Sequence, residues 1–146
     1  MVRQIGMELK NEVKQIFLDV FTKEPWNDKW QNESQINSYL DDLMGNNNSL
    51  SVGFFRDNEM IGISLGYIFH WWQGDEYFIK EFCIERDSQN MGHGSIFLQE
   101  LGEFLLGRKI RAICLTTDRN TPAYAFYKKN GFIELDEYPF LGKYLE

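Results

Sequence analysis

Apolar residues recur at helical spacing in two stretches near the N-terminus. In residues 8–21 they include Leu9, Val13 and Phe17, and the same spacing returns in residues 33–44. Separations of three and four positions place such residues on one face of a helix. The pattern therefore predicts two amphipathic helices joined by a loop at 22–30 that is rich in tryptophan and acidic residues. Gly45 and the three asparagines after it predict the end of the second helix.

The pattern changes after residue 49. Residues 50–56, 60–72 and 76–85 are rich in β-branched and aromatic residues and are separated by the turn sequences DNE and QGD. Such runs predict three consecutive antiparallel strands, to which residues 2–5 add a short first strand. Residues 94–107 and 121–130 predict two further helices, 110–117 a buried strand, and 132–135 and 140–146 the last strands. The order of elements predicts one mixed α/β domain over residues 1–146.

The charge of the chain limits its partners. Asp and Glu number 22 against 15 Lys and Arg, so the net charge is −7. Nucleic acids and anionic membranes bind clustered Lys and Arg, and neither is expected as a partner. Cys83 and Cys114 lie in apolar runs without metal-ligand spacing, so no metal site is expected. There is no apolar stretch of 18 residues and no signal-like N-terminus, which favours a cytoplasmic location.

A glycine-rich segment follows the predicted strand at 76–85. Gly92 and Gly94 stand where that strand gives way to the helix at 94–107. Glycines allow a tight turn that aims backbone N–H groups outward, and the helix N-terminus adds positive potential. This arrangement predicts a phosphate site built without basic side chains, although an ordinary strand-to-helix turn would carry the same short pattern.

Two motifs together identify a family resemblance. Residues 89–94 have the form Q-x-x-G-x-G, and about thirty residues later Asn120, Tyr127, Gly131 and Phe132 have the form N-x(6)-Y-x-x-x-G-F. The pair resembles the GNAT superfamily of acyl-CoA-dependent N-acetyltransferases and, more loosely, its aminoglycoside 6′-N-acetyltransferase-like branch. The resemblance implies a mixed α/β (α+β) fold. Its twisted, mostly antiparallel sheet would have six to seven strands, about four flanking helices and a splayed central strand pair.

The resemblance also implies a coenzyme A site. Backbone N–H groups from Met91 to Ser95 would hold the pyrophosphate, and the Ile84 N–H would point at the thioester carbonyl. The residues expected to bind acetyl-CoA are Phe82, Cys83, Ile84, Gln89, Asn90, Met91, Gly92, His93, Gly94, Ser95, Asn120, Ala123, Phe126 and Tyr127. The sequence departs from the family where Asn90 and Met91 replace a frequent glycine and basic residue. His93 replaces an aliphatic residue and is expected to face solvent.

Acetyl transfer to an amine needs a proton acceptor and benefits from a proton donor for the departing thiolate. Tyr127 is the expected acid, with a core tyrosine as the alternative. Glu81 interrupts an apolar strand and is expected to be the base, or else to orient the acceptor ammonium. Strict alternation would place Glu81 on the strand face of Ile79 and Cys83. Cys83 as an acyl-carrying nucleophile is a third option, which lacks a nearby histidine.

Tryptophan beside acidic residues suits a cationic acceptor through cation–π contact and ion pairing. The expected acceptor residues are Glu24, Trp26, Asp28, Trp30, Trp71, Trp72, Asp75, Glu76 and Glu81. A structural alternative is that the tryptophans cap the core and the acids solvate the surface.

Three functions fit these observations. The first is acetylation of a small cationic amine such as an aminoglycoside or polyamine. The second is acetylation of a peptide or protein amine, and the third is a non-catalytic module that senses acyl-CoA. A homodimer is expected, because this is the commonest closed assembly.

Overall fold

Four consecutive strands pair antiparallel with their neighbours in the computed structural model, which describes residues 1–146. A fifth strand adds parallel to the fourth. The strands are β1 (Val2–Ile5), β2 (Ser49–Arg56), β3 (Glu59–Trp71), β4 (Gly74–Ile84) and β5 (Ala112–Cys114). The α-helices are α1 (Lys10–Phe21), α2 (Glu33–Met44), α3 (His93–Gly107) and α4 (Pro122–Lys129), with 3-10 turns at Met7–Leu9 and Arg86–Ser88.

Helix α2 has the bounds that the sequence predicts. The Asn32 side chain accepts a hydrogen bond of 2.8 Å from the Gln35 N–H, which satisfies one backbone donor of the first turn. At the other end the Gly45 N–H bonds the Asp41 carbonyl. The α1 prediction is shifted by two residues, because Met7–Leu9 forms a 3-10 turn before the regular helix.

The chain divides into two units, Met1–Leu115 and Thr116–Glu146. In the first unit the sheet has a helical layer on each face. Ile63, Leu65 and Cys83 belong to the core formed with α1 and α2. On the other face Phe97 of α3 stacks on Phe54 with ring centroids 5.1 Å apart. None of the helices is long and apolar enough to cross a membrane.

A bulge in β4 corrects the predicted alternation around Glu81. Leu65 of β3 pairs with Glu81 whereas the next residue, Gly66, pairs with Ile79, so Lys80 is an extra residue on β4. The strands approach closely here, and a Cβ on Gly66 would lie 2.2 Å from the Phe78 carbonyl oxygen. Paired residues share a face, so Glu81 lies on the α1–α2 face with Leu65, whereas Ile79 lies on the opposite face. Strict alternation, which would keep Ile79 with Glu81, is therefore wrong.

The pairing of β4 with β5 is short. It covers only Glu76, Tyr77 and Phe78 of β4, which lie opposite Ala112 to Cys114. The strand predicted over 110–117 is therefore reduced to three residues, and residues 79–84 of β4 have β3 as their one strand neighbour. The pairing of β4 with the edge strand β5 thus ends next to the bulge.

The expectation of six to seven strands is wrong, because the sheet has five strands and the second unit adds none. Residues 132–146 contain no strand. A strand needs a partner for its backbone groups, and none of the ladders in the sheet includes these residues. Instead, the Tyr138 N–H bonds the Leu135 carbonyl in a turn. Arg119 and Tyr124 bond the Glu134 carboxylate and lower its pKa to about 2.

Candidate active site

The end of β4 turns the main chain of Ile84 away from β3. The Glu85 N–H bonds the Ile61 carbonyl of β3 at 2.8 Å, and successive residues of a strand point their backbone groups to opposite sides. The Ile84 carbonyl accepts a 2.8 Å hydrogen bond from the Gln89 side-chain amide. The Ile84 N–H therefore also points away from the β3 ladder, on the side where β5 has already ended.

The segment after β4 leads into the N-terminus of α3. Gly92 precedes α3 with a φ of +81°, and no atom lies within 4 Å of the position of a Cβ. The first helical hydrogen bond runs from the Ile96 N–H to the Gly92 carbonyl, and no side chain caps this end. The N–H groups of His93, Gly94 and Ser95 therefore have no acceptor inside the helix. Asn90 also has positive φ, and the Met91 side chain is exposed.

A basic residue that the sequence analysis missed stands beside this helix end. Arg56, the last residue of β2, lies with a guanidinium nitrogen 3.1 Å from His93 Nδ1. A guanidinium can only donate, so in this contact Arg56 is the donor. Arg56 supplies positive charge that the 89–95 segment lacks. No signal within that segment points to it, since the contact depends on how β2 meets α3.

Glu81 is held by Tyr39 of α2, a second residue that sequence reasoning missed. The Tyr39 hydroxyl donates a 2.6 Å hydrogen bond to Glu81 Oε1. Burial raises the pKa of Glu81, and the Tyr39 bond opposes that shift. Burial and the neighbouring carboxylate also raise the pKa of Tyr39, which therefore remains a donor. The available signal was a hydroxyl at the edge of the apolar face of α2.

The loop before α2 brings two predicted acceptor residues towards Glu81. The Trp30 ring packs on Tyr39 and Phe17, with centroids 5.2 and 5.6 Å away. Asp28 is close enough for its charge to raise the pKa of Glu81, and its own pKa is raised by burial. Two carboxylates and an aromatic cluster thus share one region, an electrostatic setting that favours a cation. Trp26 packs on Phe21, and Glu24 is exposed on the same loop.

Cys83 contributes its side chain to the core rather than to a nucleophile site. The thiol is buried beneath α1 and α2. Burial and the nearby Glu81 raise its pKa well above the ordinary value. Because the thiolate is the nucleophile, these surroundings oppose an acyl-carrying role.

The β3–β4 turn is remote from Glu81. Asp75 lies six residues before Glu81 on β4, which is about 20 Å along a strand. Trp71 and Trp72 are 53% and 79% exposed. Asp75 bonds His70, and Glu76 pairs with Arg111. The structure therefore does not bring the predicted acceptor residues Trp71, Trp72, Asp75 and Glu76 together with Glu81.

Four predicted residues belong to the second unit. The Asn120 N–H bonds the Asp118 side chain before α4, and Ala123, Phe126 and Tyr127 lie on that helix. The Tyr127 ring is buried and packs edge-on against Phe126 and Phe132, 5.3 and 5.2 Å away. These contacts fix the direction of the tyrosine ring within the unit.

A family model matches this arrangement of elements. The model described as the acetyltransferase (GNAT) family matches residues 10–132, which include β2 to α4 and both motifs. The chain belongs to the GNAT acetyltransferase family. Family membership confirms the resemblance drawn from the two motifs, and members of this family use acetyl-CoA.

Solved structures share the fold of this GNAT protein. An aminoglycoside acetyltransferase from an uncultured soil metagenomic sample, in complex with sisomicin, has a TM-score of 0.73 at 14% identity. The match covers 100% of this chain and 96% of that one. A possible acetyltransferase from Clostridium difficile 630 reaches a TM-score of 0.81 at 10% identity and covers 100% and 98%.

A third structure was determined with a two-substrate ligand. It is AAC(6′)-Iy in complex with the bisubstrate analog CoA-S-monomethyl-acetylneamine, with a TM-score of 0.72 at 13% identity, covering 99% and 97%. Identities this low establish the shared fold of the GNAT protein and no more. No curated protein matches the chain.

Proposed function

We propose that the protein transfers an acetyl group from acetyl-CoA to a primary amine of a small polycationic molecule, of the aminoglycoside or polyamine kind. The amine attacks directly in a ternary complex. The observation that carries this proposal is the position of Glu81 on β4. Its carboxylate has a raised pKa and lies three residues before Ile84, whose backbone N–H points away from the ladder with β3.

The residues of the first unit fit acetyl-CoA. The open, positive-φ backbone at Gly92 and the uncapped N–H groups of α3 suit a pyrophosphate. The backbone of Phe82, Cys83 and Ile84 would lie along the pantetheine, and Gln89 would hold the loop against the end of β4. By resemblance, acetyl-CoA is also proposed to contact Asn120, Ala123, Phe126 and Tyr127 of the second unit. The bound thioester supplies the acetyl group.

Proton handling falls to two side chains in this proposal. Glu81 accepts the proton that the amine must lose, directly or through water, and its raised pKa makes the carboxylate a stronger base. Tyr127 donates a proton to the leaving sulfur. The Ile84 N–H donates to the carbonyl oxygen on which negative charge develops, an interaction typically worth about 3–4 kcal/mol.

The acceptor class rests on charge and aromatic surface. Asp28 and Glu81 place two carboxylates near the rings of Trp30 and Tyr39, a combination that binds ammonium groups. The folds shared with aminoglycoside acetyltransferases support the same class. The remaining loop residues, Glu24 and Trp26, would extend this surface.

The deciding experiment measures free-thiol release from acetyl-CoA with a panel of amines. The panel contains aminoglycosides, polyamines, lysine-containing peptides and neutral amines. The proposal expects the highest kcat/KM for small polycations.

The role of Glu81 is tested by Glu81→Gln, which should abolish the acidic limb of the pH–rate profile. If the limb is unaltered and KM is raised, Glu81 is an orienting carboxylate and not the base. Acetyl-CoA binding without turnover of any amine would favour the sensor, and turnover of peptides alone would favour a protein acetyltransferase.

A further inference from the structure

Glu81 is linked to two elements that lie far from it in sequence. Its Oε1 accepts the Tyr39 hydroxyl of α2, and the Tyr39 ring packs against Trp30 in the loop that precedes the helix. The terminal torsion of a glutamate is broadly distributed, so a carboxylate without such a partner takes many directions. A 2.6 Å bond from a rigid phenol restricts it.

We propose that Tyr39 is a positioning residue for the reaction: its hydroxyl holds Oε1 of Glu81, which leaves Oε2 to face the acceptor amine. This inference rests on the proposed function, because it assigns the orientation of the proposed base. Tyr39 itself touches neither reacting group. It acts through Glu81 and is distinct from the acid and base that the sequence analysis named.

The aromatic cluster gives the hydroxyl a fixed position. Phe17 and Trp30 pack against the Tyr39 ring with centroids 6.0 and 5.2 Å away. The Trp30 indole N–H is buried and has no hydrogen-bond partner, so ring packing rather than a polar bond holds that side chain. The position of the Trp30 loop and the direction of Glu81 are therefore coupled through a single ring.

Several charged groups face Glu81. Asp28 of the loop raises its pKa, whereas Lys80 on β4 and the Tyr39 bond lower it. Cys83 lies on the same strand face, and Tyr67 of β3 acts on Tyr39. Because the phenol stabilises the charged carboxylate, its loss shifts Glu81 towards the protonated form.

The test is Tyr39→Phe, which keeps the ring and removes the hydroxyl. The acidic limb of kcat/KM should move to higher pH, so that the loss of activity is larger at pH 6 than at pH 9. In a Glu81→Gln background the same change should have no further effect. Tyr124→Phe is the matched control, since its hydroxyl also bonds a glutamate carboxylate, that of Glu134, and it should leave the limb in place. A uniform fall in rate without a shifted limb would overturn the proposal.

A second readout does not depend on turnover. Carbon-13 labelling of glutamate carboxyls allows the titration of Glu81 to be followed by NMR, with its signal identified by its loss in Glu81→Gln. Tyr39→Phe should raise the midpoint of this titration, and an unchanged midpoint would contradict the positioning role. If no amine is acetylated but the midpoint rises, the proposed function fails while the link between Tyr39 and Glu81 stands.

Discussion

The Gln89 side-chain amide donates a 2.8 Å hydrogen bond to the backbone carbonyl of Ile84. This bond ties the start of the glycine-rich segment to the end of β4. It also satisfies the carbonyl of a residue whose N–H is the proposed donor to the acetyl carbonyl. The two halves of the proposed cofactor site, a helix end and a strand end, are thus held in register by one side chain.

Gln89→Ala should weaken acetyl-CoA binding. A hydrogen bond of this kind contributes about 1 kcal/mol, so we expect roughly a five-fold rise in Kd. Isothermal titration calorimetry with acetyl-CoA measures this Kd. Gln99→Ala removes an exposed amide on α3 whose contact is with Glu103, and it should leave Kd unchanged. An equal effect in both variants would contradict the linking role of Gln89.

Gly92→Ala should cost affinity through the backbone rather than through a clash. There is space for the Cβ, but a φ of +81° strains any other residue by about 1–2 kcal/mol. Relief of that strain would turn the N–H groups of α3 away from the phosphate. Gly102→Ala, inside α3, is the control, because the added methyl also meets open space there and should stabilise the helix by roughly 0.5–1 kcal/mol. Thermal unfolding and acetyl-CoA titration should separate the two variants.

Glu81→Gln should increase stability at high pH more than at low pH. Burial raises the folded-state pKa of Glu81 above its unfolded value, so the folded protein binds the extra proton in the interval between them. Wild-type stability therefore falls as pH rises through that interval, and glutamine removes this contribution. Urea unfolding at pH 4 and pH 8 measures the difference. Glu103→Gln, an exposed carboxylate on α3, controls for the loss of one charge, and a pH-independent gain at position 81 would contradict the prediction.

Tyr127→Phe should lower kcat about 100-fold, as expected for loss of a general acid, with little change in acetyl-CoA affinity. The ring contacts with Phe126 and Phe132 are kept in this variant. Tyr124→Phe on the same helix removes a hydroxyl that bonds Glu134 and should retain kcat. An unchanged kcat in Tyr127→Phe would remove this residue from the acid role.

Asp28→Asn should raise KM for a polycationic amine and leave KM for acetyl-CoA unchanged. The loss of one carboxylate near Glu81 weakens attraction of the second ammonium group, and added salt should reduce the difference between variant and wild type. Initial rates at two ionic strengths test this. Asp57→Asn, in the β2–β3 turn, is a matched loss of charge that should have no effect on KM.

Local signals in the sequence predict most of the elements. Helix α2 matches because its polar cap, its apolar face and Gly45 all act within a few residues. The prediction of strands at 132–135 and 140–146 is wrong, because a strand depends on a distant partner that its own alternation of apolar and polar residues does not reveal. The bulge at Lys80 also depends on a distant partner, because it lies where Gly66 of β3 approaches the Phe78 backbone closely.

The residues of the candidate site also fall into those that local sequence indicates and those that distant contacts place. Gly92 and Tyr127 belong to motifs that are contiguous in sequence and could be named from it. Tyr39 and Arg56 are placed by tertiary packing, 42 and 37 residues from the groups that they bond. A helix-periodic pattern describes Tyr39 only as a core residue, because periodicity carries no information about which strand residue will face it.

The early end of the β4–β5 ladder gives the sheet an incomplete edge. An amide that projects from such an edge exchanges its hydrogen with water readily and offers a template for another chain to pair with. A ligand that runs along β4 would act as a substitute strand, slowing exchange at Ile84 and suppressing edge-to-edge association. If acetyl-CoA binds along β4 as proposed, its binding would thus oppose association of the protein through this edge.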